Sequence, residues 1–328
     1  MDPIPDRFLF VWTGRRFPYF ARLAIESALI AEPTAEVELH LFGDHPVGAP
    51  HFEAVRRHDR VAVHAVEVGR VFDGLGVDPR ALAIAYDRIP ATAASARSNL
   101  IRYAVLARRG GIYLDTDVLV LRSMADLRRH DAFAGQEQVF VVDEHRVAGE
   151  LAPWMIAPTA AWAAAWGLRR LDAALGRAVG EPLARRLDPI WLHTQLNNAV
   201  IGARPGAAFA RRLLARAAEV DPTIRYRLGP TLISELVRAD ARDVTVLPPA
   251  AFYVVPPSYS FRFFTGGPLR LPDATRVLHV VSSNHGALLG ALDEDTLRRR
   301  ATRGTYYALG AAIAERARAL PARRAVAA

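Results

Sequence analysis

The sequence predicts an α/β fold with a Rossmann-like, mostly parallel central sheet flanked by helices and helical insertions later in the chain, and three observations predict it. Short apolar runs alternate with amphipathic stretches of helical length through the N-terminal third. A double glycine, Gly110-Gly111, separates a long helical stretch from a short apolar strand. With 328 residues and 51% hydrophobic composition, the chain can bury a core as one large domain or two modest ones.

Taken in order, Phe8, Leu9, Phe10, Val11 and Trp12 form an apolar run that stops at Thr13-Gly14, as a buried strand delivering a loop to a ligand would. Phe20, Leu23, Ala24, Ser27, Ala28 and Ile30 follow at helical spacing up to Pro33. Val37, Leu39 and Leu41 alternate like a strand ending at Gly43-Asp44, and a third strand runs through Val61, Val63 and Ala65. Strand–helix–strand order implies parallel pairing, which gathers ligands at the carboxyl ends of the strands, where Trp12 stands. A helix over residues 92–109 stops at the double glycine, and Ile112, Tyr113 and Leu114 form a strand that emits Asp115 and Asp117.

Beyond residue 140, helices are expected near 160–175 and 207–220, strands at 244–247 and 276–281, and a terminal helix from Thr305. Residues 1–140 and 141–328 are read as two parts of the same domain. No internal repeat is present.

Composition excludes several classes. The chain has no cysteine, so disulfides, cysteine nucleophiles and zinc fingers fall away, and a reducing, cytoplasmic setting fits. All 42 basic residues are arginine; the absence of lysine rules out Walker-type loops and Schiff-base chemistry. The N-terminus lacks the pattern of a secretory signal, and the most apolar window, 151–168, is broken by Pro153, Pro158 and Gly167. A soluble protein with at most peripheral membrane contact is expected. The net charge of +8 suits an anionic partner, but the arginines fall in scattered pairs and no nucleic-acid-binding motif accompanies them. A non-catalytic basic anion-binding protein, whose arginines hold nucleic acid or an anionic membrane, is thus one alternative reading; the favoured reading has no nucleic acid as partner.

The chemistry centres on Asp115-Thr116-Asp117. In a strand, side chains two apart share a face, so two carboxylates would point together, a placement that a hard divalent cation such as Mg2+ or Mn2+ explains. An isolated D-x-D is common in solvated turns; here the pair directly follows a Gly-Gly break and a buried strand. Ser95, Asn99 and Arg102 lie on one face of the preceding helix. The same residues also fit a haloacid-dehalogenase-like phosphatase with Asp115 as nucleophile, although such enzymes need a cationic partner that is normally lysine.

The run Ala96-Arg97-Ser98-Asn99-Leu100-Ile101-Arg102-Tyr103, followed by Gly110-Gly111-Ile112-Tyr113-Leu114-Asp115-Thr116-Asp117, resembles the DXD sugar-binding region shared by capsular-polysaccharide-type glycosyltransferases, initiation mannosyltransferases and clostridial glucosylating toxins. The resemblance implies a GT-A fold, with residues 1–140 as its nucleotide-sugar-binding part and 141–328 as its acceptor-side and C-terminal part, a nucleotide-sugar donor with uridine as the first choice of base, Mn2+ or Mg2+, and transfer with retention to a glycan, lipid-linked or small-molecule acceptor. It implies Asp117 as direct metal ligand, Asp115 as ribose contact and metal support, and Arg102 and Tyr113 as donor contacts. Val11 and Trp12 resemble the segment packed on the nucleobase, with core packing an equal alternative for Trp12.

Leu196-Asn197-Asn198 followed by Pro205-Gly206 resembles a second family segment and puts a donor-sugar contact on Asn197. Gly229-Pro230 resembles a later turn. His279-Val280-Val281-Ser282-Ser283 resembles the segment beside the pyrophosphate, with His279 completing the metal shell or binding phosphate, His285 the fallback, and Ser283 a donor contact. Two departures stand out: Asn99 replaces the family's usual aspartate, and Asn284 its tryptophan after the serine. Trp154, Trp162, Trp166, Tyr259, Phe261 and Phe263 supply aromatic surface for an acceptor or for the core.

Overall fold

The computed structural model describes residues 2–140, 156–175, 179–180, 182–184, 186–187, 192–224 and 226–323. The expected first strands and helix are present as β1 (Arg7–Trp12), α1 (Tyr19–Ala31), β2 (Glu36–Leu41) and β3 (Val61–Ala65). After two short helices, α2 (Pro50–Arg56) and α3 (Pro79–Arg88), come α4 (Ala94–Arg109), β4 (Gly111–Leu114) and β5 (Val118–Val120). Two long strands that the sequence reading did not contain, β6 (Ala132–Phe140) and β7 (Leu192–Ala203), extend the sheet, and β8 (Thr245–Leu247) ends it.

The seven strands lie in the order β3-β2-β1-β4-β7-β6-β8. Every neighbouring pair is parallel except those made by β7, so the sheet is mostly parallel, as the strand–helix–strand pattern predicts. Alternation along β1 divides the core. Phe8 and Phe10 face α1, packing with Ala21, Ala24 and Ile25, while Leu9 and Val11 face α4 and its Leu100, Ile101 and Ala104. Each face is covered by apolar helix surface, which is why these strands read as near-continuous hydrophobic runs.

The double glycine is a steric requirement. Gly111 has φ +123°, and a Cβ there would sit 2.6 Å from Arg7 Cγ and 2.9 Å from the Arg7 carbonyl oxygen. Only glycine lets β4 enter the sheet so close to the start of β1. That register places the carboxyl ends of β1 and β4 side by side, with Leu9 opposite Tyr113.

A second sheet of two antiparallel strands joins β5 to β9 (Val277–His279), pairing Val118 with His279. The terminal helix Thr305–Ala317 packs Tyr306, Tyr307 and Ile313 into a third apolar cluster with Leu23 of α1. The expected helix at 160–175 is present as Ile156–Leu175, and that at 207–220 as Ala208–Glu219. Among the described residues, no helix is long and apolar enough to cross a membrane. Trp154, one of the aromatic residues singled out for the acceptor, lies outside the described residues.

Candidate active site

The strand carrying the acidic motif ends one residue before it. β4 stops at Leu114, Asp115 follows without regular structure, and Thr116 and Asp117 form a turn into β5. The two carboxylates therefore converge through a turn and not through strand alternation, as the sequence reading had it. Asp115 N–H still bonds the Ala199 carbonyl at 2.8 Å, so the first acid is fixed by the last rung of the β4–β7 ladder.

The third member arrives from far along the chain. Pairing of β5 with β9 puts His279 opposite Val118, and His279 Nε2 lies 3.5 Å from Asp117 Oδ1. Asp115, Asp117 and His279 each offer one ligand atom, and the three atoms lie within 4.8 Å of one another. After His279 the backbone wraps Asp117: Val280 N–H donates to the Asp117 carbonyl at 3.1 Å, and Ser282 N–H to its Oδ2 at 2.7 Å. Val281, between them, sits in the left-handed region with φ 53° and ψ 74°, an uncommon conformation for a β-branched residue and a local strain at this corner.

Arg102 holds Asp115 from beneath. Its guanidinium lies 2.8 Å from Asp115 Oδ1, donates to the Asn198 carbonyl at 2.9 Å, and stands 4.5 Å from the centroid of the Tyr113 ring. The Tyr113 hydroxyl donates to Asp115 Oδ1 at 2.6 Å. Arg102 is buried, and these contacts make it a support for Asp115. Because Arg102 is buried and Asp115 only partly so, Arg102→Ala should lose roughly 3 kcal/mol, the lower range for stranding one partner of a buried ion pair. Chemical denaturation would measure it, and an unchanged midpoint would contradict the role.

Behind this layer, Asn198 Nδ2 donates to Asn99 Oδ1 and to the Tyr103 hydroxyl, each at 2.9 Å, and Tyr103 donates to the Leu228 carbonyl at 2.8 Å. Asn99 thus meets the neighbouring Asn198 through a neutral bond, where the aspartate of the family would put a charge. Gly229, in the turn expected from Gly229-Pro230, has Asn99 and Asn198 as its nearest neighbours. Asn198 reaches this position because β7 bulges. Ala134 pairs with Ile201 but the next residue, Gly135, pairs with Asn197, leaving Asn198, Ala199 and Val200 without β6 partners. Gly135 permits the distortion, since a Cβ would lie 2.6 Å from the Phe252 ring and 2.8 Å from that of Tyr253.

Asn197, assigned to the donor sugar, is buried, with its Nδ2 given to Glu137 Oε2 at 2.7 Å and its Oδ1 taking Ala199 N–H at 2.8 Å. Val11 is buried against the α4 side of the core. Trp12 is partly buried, its indole N–H donating to the Gly14 and Arg16 carbonyls at 3.2 and 3.0 Å, with an edge contact to Phe17. Ser283 is exposed, and it is the neighbouring Ser282 that touches Asp117. The fallback His285 does not join the acidic pair: its Nε2 is 2.8 Å from Ser260 Oγ and its ring packs on Phe264, where burial lowers its pKa to about 4. Sequence reasoning gave no role to Glu137, Asn198, Tyr103, Tyr253 or Ser282, although Asn198, Tyr103 and Ser282 stand inside the segments that carry the resemblance.

Electrostatics couple the two acids to His279. Burial alone would raise the pKa of Asp117, yet the facing His279 and the Ser282 N–H outweigh it and hold the carboxyl well below the usual range. Burial would lower His279, but Asp117, Glu137 and Asp115 raise it to about 9. For Asp115, burial and the nearby Asp117 win over Arg102 and Tyr113, and its pKa is raised. Two carboxylates and an imidazole at this spacing, with the buried His279 Nδ1 lacking a hydrogen-bond partner among the described residues, fit a divalent cation.

Residues 75–134 match the family described as the glycosyltransferase sugar-binding region containing the DXD motif. No curated protein matches the chain. Similar solved structures include PaToxG glycosyltransferase, at 14% identity over 73% of this chain and 70% of that one with a TM-score of 0.44. The ligand-free glycosyltransferase domain of the YGT toxin is 10% identical over 75% and 80%, with a TM-score of 0.43. The galactosyltransferase LgtC with donor and acceptor sugar analogues is 13% identical over 90% and 99%, with a TM-score of 0.40. The matched segment contains α4, β4 and the acidic turn just described, and through it this chain carries the DXD sugar-binding region of a glycosyltransferase.

Proposed function

We propose that the protein is a metal-dependent, retaining glycosyltransferase that moves a sugar from a nucleoside-diphosphate sugar, with uridine as the favoured base, to an acceptor hydroxyl. The observation that carries this reading is the convergence, at the carboxyl end of β4, of Asp115 and Asp117 from the matched sugar-binding region with His279 from β9. The three would hold the cation, and the imidazole beside the carboxylates favours Mn2+ over the all-oxygen surroundings that suit Mg2+. Bound there, a divalent ion neutralises charge growing on the departing diphosphate.

The chain's own residues do the rest. Arg102 and the Tyr113 hydroxyl fix the Asp115 carboxylate in one orientation, so little reorganisation accompanies donor binding. Trp12, at the neighbouring strand end, offers its ring to the base. Asn99 and Asn198 at the Gly229 turn supply neutral hydrogen-bonding groups for the sugar. In the reaction the anomeric carbon–diphosphate bond breaks, the acceptor oxygen bonds to that carbon from the same face, and the acceptor proton passes to the departing diphosphate. No enzymic nucleophile is required, and Asp115, committed to Arg102 and Tyr113, is poorly placed to act as the nucleophile of a phosphatase.

The test is incubation with a panel of nucleotide sugars, with and without Mn2+, while nucleoside diphosphate release is followed. One donor should turn over only with metal, and proton NMR of the product should show the anomeric configuration of the donor. Hydrolysis of phosphomonoesters with no donor turnover would replace this reading with the phosphatase, and an inverted anomer would remove retention.

A further inference from the structure

Beside the cation site lies a buried acid that belongs to neither the acidic motif nor the His279 segment. Glu137, on β6, is 2% exposed. Its carboxylate accepts from Asn197 Nδ2 at 2.7 Å and also from the side chain of Gln195, its cross-strand partner. Tyr253 connects this pair to the triad. Its hydroxyl accepts Val200 N–H at 3.0 Å within the β7 bulge, and its ring meets that of His279 nearly perpendicularly with centroids 5.6 Å apart.

A glutamine at this position could bond Asn197 and Gln195 equally well through its amide, so hydrogen bonding alone gives no reason for an acid. A buried carboxylate is costly unless a cation compensates it. Three buried or partly buried acids, Asp115, Asp117 and Glu137, share this corner with the Arg102 guanidinium, which pairs with Asp115, and with the His279 ring; once His279 is neutral, as a metal ligand must be, two negative charges are left uncompensated. A divalent ion bound to neutral His279 supplies two positive charges. Without Glu137 the loaded centre would carry an excess positive charge in a poorly solvated corner.

We propose that Glu137 is a positioning residue of the cation site, whose carboxylate completes the charge balance of a bound divalent ion and fixes the Asn197 amide in one orientation. The inference rests on the cation reading of the preceding subsection. The Asn197 amide, with Nδ2 turned to Glu137 and Oδ1 to Ala199 N–H, keeps one N–H and one lone pair for a ligand, and the acid determines which end faces which way.

The test titrates the full chain with Mn2+ in the absence of any donor and follows the electron paramagnetic resonance signal of free Mn2+. Glu137→Gln, which preserves shape, should weaken Mn2+ binding about 10- to 100-fold, as loss of an outer partner of a metal site does. The metal-free thermal midpoint should not fall, because one of several like charges has gone. Glu137→Asp, which keeps the charge while shortening the reach to Asn197, should restore most of the affinity. Wild-type affinity in E137Q would overturn the proposal, and so would an E137D variant as weak as E137Q, because the charge it keeps would then contribute nothing to metal binding. Failure of the wild-type protein to bind Mn2+ at all would instead remove the cation site itself, and this inference with it.

Discussion

Asp117→Asn should abolish sugar transfer, with turnover falling by roughly 10²- to 10³-fold or more, the loss typical of removing one preorganised group that stabilises developing charge. The fold should survive. Asparagine Oδ1 can still accept Ser282 N–H, which now donates to Asp117 Oδ2 at 2.7 Å, and the substitution relieves repulsion with Asp115. Loss of the attraction to protonated His279 opposes that relief, so metal-free stability should fall only modestly while Mn2+ affinity collapses, a separation that thermal melts and metal titration on one sample would reveal. A variant with full turnover would remove Asp117 from the metal shell.

Mn2+ affinity should also depend steeply on pH. In the metal-free protein His279 is held protonated up to about 9 by the surrounding acids, although burial opposes this. A metal can bind only the neutral imidazole, so loading must release that proton. Below pH 9 the affinity should rise about tenfold per pH unit and level off above it, which amounts to about 100-fold between neutral pH and the plateau. Calorimetry in buffers of different ionisation enthalpy would count the proton. The stability of the metal-free protein should move oppositely. A histidine whose pKa is raised on folding contributes most below its unfolded value near 6.5, and that contribution disappears as pH rises through 9. Affinity independent of pH between 6.5 and 9 would exclude His279 as a ligand.

Both expectations depend on contacts that the sequence only partly discloses. The strand–helix–strand order, the Gly-Gly stop and the position of Asp115 and Asp117 at a strand end are local features. They follow from hydrophobic period, from the steric demand at Gly111 and from the shortness of the apolar run after it. The helix face bearing Asn99 and Arg102 was legible for the same reason, since residues three or four apart on a helix are neighbours. Other residues make contacts that the sequence does not disclose. Trp12 does lie at a strand end next to β4, yet its indole N–H serves the loop after it. Asn197 does lie near the site, yet its amide serves Glu137 and the β7 backbone.

By itself, then, the amino-acid sequence determined an α/β chain with a paired-acid motif at the carboxyl edge of its sheet. The resemblance already put His279 ahead of His285, but the tertiary structure alone decided how it reaches the acids, because β5 and β9 are far apart in the chain and their pairing brings His279 to Asp117 while His285 goes to Ser260. It decided, too, that Arg102 is a buried brace and that Glu137 and Asn198 enter the site, through a register shift between β6 and β7. Non-local pairings of this kind are governed by packing against distant surfaces and by loop closure, neither of which leaves a periodic trace in the residues involved.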